Sequence, residues 1–569
     1  TLEPVEPQGN LLMPALAEEV KGAQAVKDKP ILVITGNPPY SGESKNKGAW
    51  ISAAIDGYKY TFETDPGGKE AKKPLGERNP KWLNDDYVKF IRFAQLKMDE
   101  VDEGIVGIIT NHSWLDNPTF RGMRQSLMRS FDQIYVLDLH GNAKKKEKAP
   151  DGSKDENVFD IEQGVAISLF VKRRGIDKGV WRGDLWGKRL TKYEAVAAGS
   201  LATRIAEKLT PQTPDYGLGV FDEIVRSDYM KGEKLTDIFP LGTVGVVTGR
   251  DAIAIKFSAT ESMAWLASEA RRKAEANDKD AIAYKALVAD VNHMGGKIET
   301  RVTPIAYRPF DLRSTFYTGR SNGFFARARG EVMPHLMGGD IGLVSARSNK
   351  SQRMDHTFIA NAITEAKLGE ATTQSCVFPL RIGGTENLSP AFRDFIDDRY
   401  GQHYDPEQVL GYIYAVLHAP TYRTRYAEFL RIDFPRIPFA ETPEQFEALS
   451  VLGWALIQTH LLKTVPRSKP RLGDYTGKGD HMVEAVRYSP EEQTVWINKT
   501  QGFANLPQAV WDFHIGGYQV IDKYLKSRKG RVLNLDEQTH VGNIAEALQF
   551  TIAQMGRIDA EYLKAFPSQ

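Results

Sequence analysis

One cysteine, Cys376, among 569 residues excludes a disulfide framework and any cluster of thiolate metal ligands, a usage that fits a reducing cytoplasm. No apolar run approaches the roughly 18 residues of a membrane span, and the N-terminus has no signal-peptide pattern. Excess charge is lacking too. With 74 Lys+Arg against 73 Asp+Glu the net charge is +1, so any basic surface for nucleic acid must be local. There is no GxxxxGK[ST] phosphate loop and no PD…ExK nuclease constellation: Pro214-Asp215 is followed by Glu223-Ile224-Val225, without the lysine. The chain opens on Thr1 rather than Met, and is expected to be a portion of a longer product.

What is present is a globular composition, 41% hydrophobic and 26% charged, of a length that suggests about three or four domains. Its most specific feature is Asn37-Pro38-Pro39-Tyr40, directly after the apolar run Ile31-Leu32-Val33-Ile34. An Asn side-chain carbonyl and the next backbone carbonyl together accept both hydrogens of an exocyclic amino group, which makes its nitrogen nucleophilic. Two prolines fix φ and remove two donors, holding such a loop extended with its carbonyls outward. A tyrosine then offers a face on which an extruded base stacks.

The following residues read as an α/β alternation. Asn84 to Met98 has helical spacing of Tyr87, Phe90, Ile91, Ala94 and Met98, with Asn84 or Asp85 placed to cap it. A buried-type strand at 104–110, a helix at 120–130 and strands at 133–139 and 165–171 follow. This order predicts a doubly wound sheet, whose ligand sites lie beyond the carboxyl ends of the strands. Asn37 to Tyr40 falls at such an end.

The series NPPY, NDDYVKFIRFAQ, GIVGIITNHSWL, FRGMRQSLMRSF, IYVLDLHGN and NVFDIEQGVAISLFVKR resembles, over residues 31–173, the catalytic half of N6-adenine DNA methyltransferases. It is most similar to the methyltransferase-plus-specificity portion of Type ISP and related single-chain restriction-modification enzymes. Residues 305–311, 411–438 and 512–518 resemble the target-recognition and C-terminal segments of that group. The resemblance implies that Asn37 and Pro38 hold the adenine amino group, with Pro39 completing the catalytic loop. Tyr40 and Phe159 would stack on the flipped base, and S-adenosylmethionine would be the methyl donor, with no metal in that chemistry. His112 is read as supporting the site from behind its contacting residues or as structural. The lysine run Lys144-Lys145-Lys146 lies in a crossover that phosphates can meet, though most such runs are solvated loops.

One departure from the family pattern stands out. The glycine-rich loop that cradles the cofactor should precede the NPPY element by many tens of residues, yet the 36 residues ahead of Asn37 hold only Gly9, Gly22 and Gly36. The pocket is therefore expected to be only partly present, with an upstream polypeptide supplying the rest and possibly a motor and a nuclease.

Local basic charge appears at 301–353, where nine Lys/Arg against three Asp/Glu give +6. Arg308, Arg313, Arg320, Arg327, Arg329, Arg347, Lys350 and Arg353 are the candidate contacts to double-stranded DNA, arginine being suited to guanine edges and phosphates. The aromatics interleaved with them are read as core. Residues 258–294 predict one or two amphipathic helices, 443–462 another, and the basic knot 526–531 is either a backbone clamp or a helix C-terminus.

The expected architecture is thus an α/β doubly wound sheet, the C-terminal half of a Rossmann-like methyltransferase, over 1–200. An α+β target-recognition domain is expected over 201–440 and a mostly helical region over 441–569. The expected function is site-specific adenine-N6 DNA methylation in a cytoplasmic restriction-modification enzyme. The alternative is a DNA-binding specificity module inactive on its own. Protein glutamine methylation is disfavoured, because it has no need of a large basic second domain.

Overall fold

The structure, a computed structural model, describes residues 29–40, 44–64, 68–76, 80–143, 147–219, 222–272, 278–349 and 353–567, with Glu18, Gly22 and Ala25 ahead of them. The chain folds as two units, 1–221 and 222–569. The boundary expected at 440 therefore falls inside the second unit, and the one expected at 200 is displaced to 221.

The first unit is built on a six-stranded sheet. Its strands are β1 (Val33–Gly36), β4 (Gly104–Asn111), β5 (Gln133–Asp138), β6 (Val165–Lys172), β7 (Gly179–Asp184) and β8 (Glu207–Leu209). The order across the sheet is β1-β4-β6-β5-β7-β8. A separate hairpin, β2 (Tyr60–Thr64) with β3 (Glu70–Pro74), lies outside it. Strands β1 and β4 are parallel, as are β5 and β7. Strand β6 is inserted antiparallel between β4 and β5. The sheet is therefore mixed, with β6 running against its two neighbours. The run VAISLFV is apolar on both faces, so its composition is the same whichever way the strand runs.

Helix α1 (Ala49–Asp56) packs on α2 (Asp86–Asp99), and α2 on β4. Helix α2 buries Tyr87, Ile91, Ala94 and Met98, the 3.6-residue stripe read from the sequence, with Asp85 at its N-cap. Helix α3 is Arg121–Ser130, and α4 is Arg189–Ala198. Buried residues of β4, β5 and β6 share one core with α2 and α3 through Val106, Ile108, Ile134, Phe170, Met123 and Leu127.

In the second unit the sequence 258–294 forms two helices, α5 (Ala259–Arg272) and α6 (Lys279–Met294). One antiparallel sheet runs β9 (Thr243–Val244), β15 (Ser375–Pro379), β12 (Gly342–Ala346), β13 (Thr357–Ala360). A second is β11 (Asp311–Phe316), β10 (Val302–Arg308), β14 (Ile363–Thr364). Cys376 is buried in β15, and burial pushes its thiol up to about 12. Helix α7 (Pro406–His418) packs along α8 (Pro443–His460), and side-chain-free Gly411 and Gly453 let the two backbones touch where they cross. Helix α9 (Leu535–Ala565), 31 residues long, packs on both, and a four-stranded sheet of 474–476, 502–504, 494–496 and 487–489 accompanies it. The regular structure after 440 is thus mainly helical, with short strands added. No helix among the described residues is long and apolar enough to cross a membrane.

Candidate functional site

The parallel strands of the first unit deliver their carboxyl ends to one rim, the place where an open α/β sheet binds ligands. At β1 the chain leaves the sheet at Gly36 and enters the Asn37–Tyr40 loop. Asn37 and Pro39 are exposed, Pro38 is buried, and Tyr40 is half-buried. The Tyr40 hydroxyl donates to Asn37 Oδ1 at 2.7 Å and lies 3.4 Å from the Ile109 carbonyl of β4. Burial pushes this phenol up to about 12, so it stays a donor at neutral pH. The Phe159 ring stands 6.5 Å from the Tyr40 ring, tilted by 39°. The structure therefore brings Asn37, Tyr40 and Phe159 together, although 119 positions separate Tyr40 from Phe159 in the chain.

Phe159 is held by its backbone. Its amide donates to Asn157 Oδ1 at 2.9 Å, and its carbonyl accepts from Arg189 Nη2 at 3.0 Å. Arg189 Nε donates to the Asn157 carbonyl at 2.7 Å. Lys192, one turn along α4, is fully buried against Asp155 at 2.7 Å and donates to the carbonyls of Leu139 and Glu156. Helix α4 thus fastens the 139–164 connection through two cations. A cavity of about 880 Å³ opens beside it, lined among others by Gly141, Asn142, Glu147, Asn157 and Arg189. Lys144, Lys145 and Lys146, together with Lys350, lie outside the described residues.

Sequence reasoning missed the buried ionic cluster at this rim. His112 follows β4, Asp138 ends β5, His140 comes two residues later, and Asp184 ends β7. His112 Nδ1 is 3.0 Å from Asp138, His140 Nε2 is 2.7 Å from Asp184, and His140 Nδ1 is 3.2 Å from Glu147. Arg182 spans Asp138 at 2.9 Å and Asp184 at 2.8 Å. Burial by itself would raise the Asp138 carboxyl, but His112, His140 and Arg182 hold it well below the usual carboxylate range. Burial would likewise lower His140, yet Asp184 and Glu147 raise it to about 9. His140 and Gly141 both adopt left-handed backbone, at φ 52° and 81°, and His140 stacks on Trp186. The signal available in the sequence was the pair of histidines at two strand ends, each near an acid.

In the second unit the basic segment is largely neutralised internally. Arg308 is buried and ion-paired to Glu365. Arg313 pairs with Asp311 at 2.8 Å, Arg320 with Asp290 at 3.4 Å and Arg347 with Asp433 at 3.1 Å. Arg353 donates to His514 and to the Asp512 carbonyl. Arg528, from the basic knot, is buried against Asp311 and Glu537. Arg327 and Arg329 differ: neither side chain forms a hydrogen bond or ion pair with the described residues. Arg327 is exposed. Arg329 sits at φ 56° with a buried, unpartnered Nε. Phe310, Phe316, Tyr317, Phe324 and Phe325 are buried core.

Comparison with known proteins gives one family and a set of folds. Residues 237–555 match the Type ISP C-terminal specificity domain. No curated protein matches the chain. Among solved structures, the ATP-dependent Type ISP restriction-modification enzyme LlaBIII bound to DNA aligns at 20% identity and TM-score 0.66, over 96% of this chain and 38% of that one. The DrdV–DNA complex aligns at 22% identity and TM-score 0.66, over 96% and 58%. A nuclease-deletion mutant of the Type ISP enzyme LlaGI, in complex with a DNA substrate mimic, aligns at 18% identity and TM-score 0.66, over 98% and 46%. At these identities the likeness is one of fold, and the chain spans less than two thirds of each of the three.

Proposed function

The chain belongs to the family of the Type ISP C-terminal specificity domain, and from that premise we propose that it is the target-base and DNA-recognition portion of an adenine-N6 DNA methyltransferase in a restriction-modification enzyme. The observation that carries this reading is the rim of the first unit, where an Asn carbonyl at the end of β1 lies beside two aromatic rings, Tyr40 and Phe159. An adenine flipped out of a duplex needs that combination, acceptors for its amino hydrogens and faces for its ring. Asn37 Oδ1 is engaged by the Tyr40 hydroxyl, so an incoming amino group takes over that acceptor as Tyr40 turns away.

S-adenosylmethionine would supply the methyl group. The residues present do not by themselves make its pocket: no glycine cluster precedes Asn37, and beyond the outer edge of β1 the described residues add no strand. Leu32 and Val33 there are 55% and 63% exposed. On this reading the cofactor cradle would have to be supplied by residues other than those described; the three aligned proteins are longer than this chain. The same observation favours a second reading, a specificity module that binds DNA without activity of its own.

Double-stranded DNA is the partner, contacted by the second unit. Of the seven candidate cations among the described residues, Arg327 and Arg329 are the two that fit best, because neither side chain has a hydrogen-bond or ion-pair partner among those residues. Arg329, half-buried and held in a sparsely populated backbone conformation, reads a base edge, while exposed Arg327 meets a phosphate. Selection of bound duplexes from a random library by the purified chain should return a preferred sequence. Asn37→Ala should keep that preference, and joint replacement of Arg327 and Arg329 should abolish it. A preference untouched by the arginine replacements would overturn the assignment. Labelled S-adenosylmethionine titrated onto the chain should bind weakly or not at all, and tight binding would refute the account of the pocket.

A further inference from the structure

His112, His140 and Glu147 each place one ligand atom within 4.8 Å of the others, at the rim where β4 and β5 end. We propose that these three side chains bind a divalent first-row transition ion, zinc being the best match. The ion ties the 139–164 connection to the sheet and takes no part in chemistry.

Histidines that ligate metals almost always donate their second ring nitrogen to a carboxylate or carbonyl. Both of these do: His112 Nδ1 lies on Asp138 at 3.0 Å and His140 Nε2 on Asp184 at 2.7 Å. That leaves His112 Nε2 and His140 Nδ1 as the ligating atoms. On this inner side the contacts are longer. His140 Nδ1 is 3.2 Å from Glu147 Oε1, and His112 Nε2 is 3.3 Å from the Asn142 amide. Two ligands on a tetrahedral ion with bonds of about 2.0–2.1 Å stand roughly 3.3–3.4 Å apart. The inner separations match that spacing, and the outer ones match ordinary charged hydrogen bonds. The Asn142 carboxamide, turned over, offers its oxygen as a fourth ligand.

Charge balance points the same way. Buried Asp138 and half-buried Asp184 and Glu147 bring three negative charges to a cluster whose fixed cation is Arg182. Three carboxylates against one fixed cation leave two negative charges, which a divalent ion held by neutral imidazoles offsets in place of protons on the histidines. Arg182 also decides which of two triads holds the ion. Its guanidinium lies between Asp138 and Asp184, which excludes the alternative set Asp138, His140 and Asp184 and leaves those carboxylates to orient the imidazoles.

The backbone is shaped around this point. His140 and Gly141 are left-handed, and a Cβ at Gly164 would collide with the His112 ring. The Asn142 amide donates to Glu147 Oε2 at 2.8 Å, aiming the other oxygen inward. Imidazole and carboxylate donors without thiolate suit zinc, iron or nickel, and Cys376 lies in the other unit.

The proposal is independent of the methyltransferase reading and is tested without any activity assay. The full chain, dialysed against zinc and then against metal-free buffer, should retain about one zinc per chain by elemental analysis. Cobalt loading should give the visible bands of a low-symmetry, four- or five-coordinate site. His112→Gln and His140→Gln should each lose the ion, and Asp184→Asn should weaken it by about 10–100-fold. Circular dichroism of each variant checks folding, and the cobalt spectrum of the unaltered chain decides the matter if a variant does not fold. The proposal is overturned if the unaltered chain binds neither ion at micromolar concentration, or if the double variant H112Q/H140Q keeps the full equivalent.

Discussion

Two stretches of concentrated basic charge, one in each unit, are both largely paired within the fold. Around residues 138–192 the chain carries thirteen Lys/Arg against nine Asp/Glu, and the fold gathers Asp138, His140, Arg182 and Lys192 into a buried rim with half-buried Asp184 beside them. Residues 301–353 carry +6 and invite a DNA-facing surface, yet Arg308, Arg313, Arg320 and Arg347 are tied to Glu365, Asp311, Asp290 and Asp433. Local net charge is therefore a poor guide to an exposed field. What matters is whether each cation finds a carboxylate elsewhere in the chain.

The comparison is broken most severely by removing one partner of a buried pair. Arg308→Ala leaves Glu365 buried and unpaired and should cost the second unit about 3–5 kcal/mol in denaturant unfolding. Replacing both residues by apolar ones should restore most of that loss, because the penalty comes from the uncompensated charge. If Arg308→Ala unfolds like the parent and instead weakens DNA binding, the internal role assigned to Arg308 is wrong.

A smaller effect is expected at the unpaired arginines. Arg329→Ala should relax discrimination at one base position by about 1–3 kcal/mol, read by competition between single-substituted duplexes. Arg327→Ala should instead weaken binding uniformly across sequences and reduce the salt slope by about 1. Loss at every position in both variants would merge the two roles.

The smallest expected effect lies in the first unit, at Asp85. Asp85 Oδ1 is buried without a partner, and burial pushes its carboxyl up to about 6. The folded state thus holds this proton more tightly than the unfolded chain. The contribution is complete below the ordinary value near 3.8 and is lost as pH rises through about 6. Asp85→Asn should flatten stability between pH 4 and 6 and add about 1 kcal/mol at neutral pH. An unchanged pH profile in thermal unfolding would show that the carboxyl is solvated.

Much of the fold was readable where it is local. Helix α2 keeps its stripe and starts after Asp85, which makes no side-chain capping hydrogen bond, and β4, β5 and β6 lie within a residue of the runs that predicted them. Helix α9 was overlooked although Asn534 and Glu537 form a capping box at its start, because its apolar stripe is diluted by polar residues. The hairpin of β2 and β3 was missed because EAKKP is exposed throughout and carries no alternation. The antiparallel direction of β6 was not readable, since pairing partners and not composition set it. The candidate site divides likewise: Asn37 to Tyr40 announced itself, whereas the His112, His140 and Glu147 grouping has no local signature.

Prolines at 38 and 39, an apolar strand before them and capped helices after them act through dihedral restriction within a few residues, so those features follow from the chain itself. Desolvation and ion pairing act through space. Arg308 meets a carboxylate 57 positions away and Arg528 one 217 positions away, and His112 faces His140 across two strand ends. Whether an arginine is free for DNA, or a histidine aimed at an ion, is settled only once the sheets have closed and water has left.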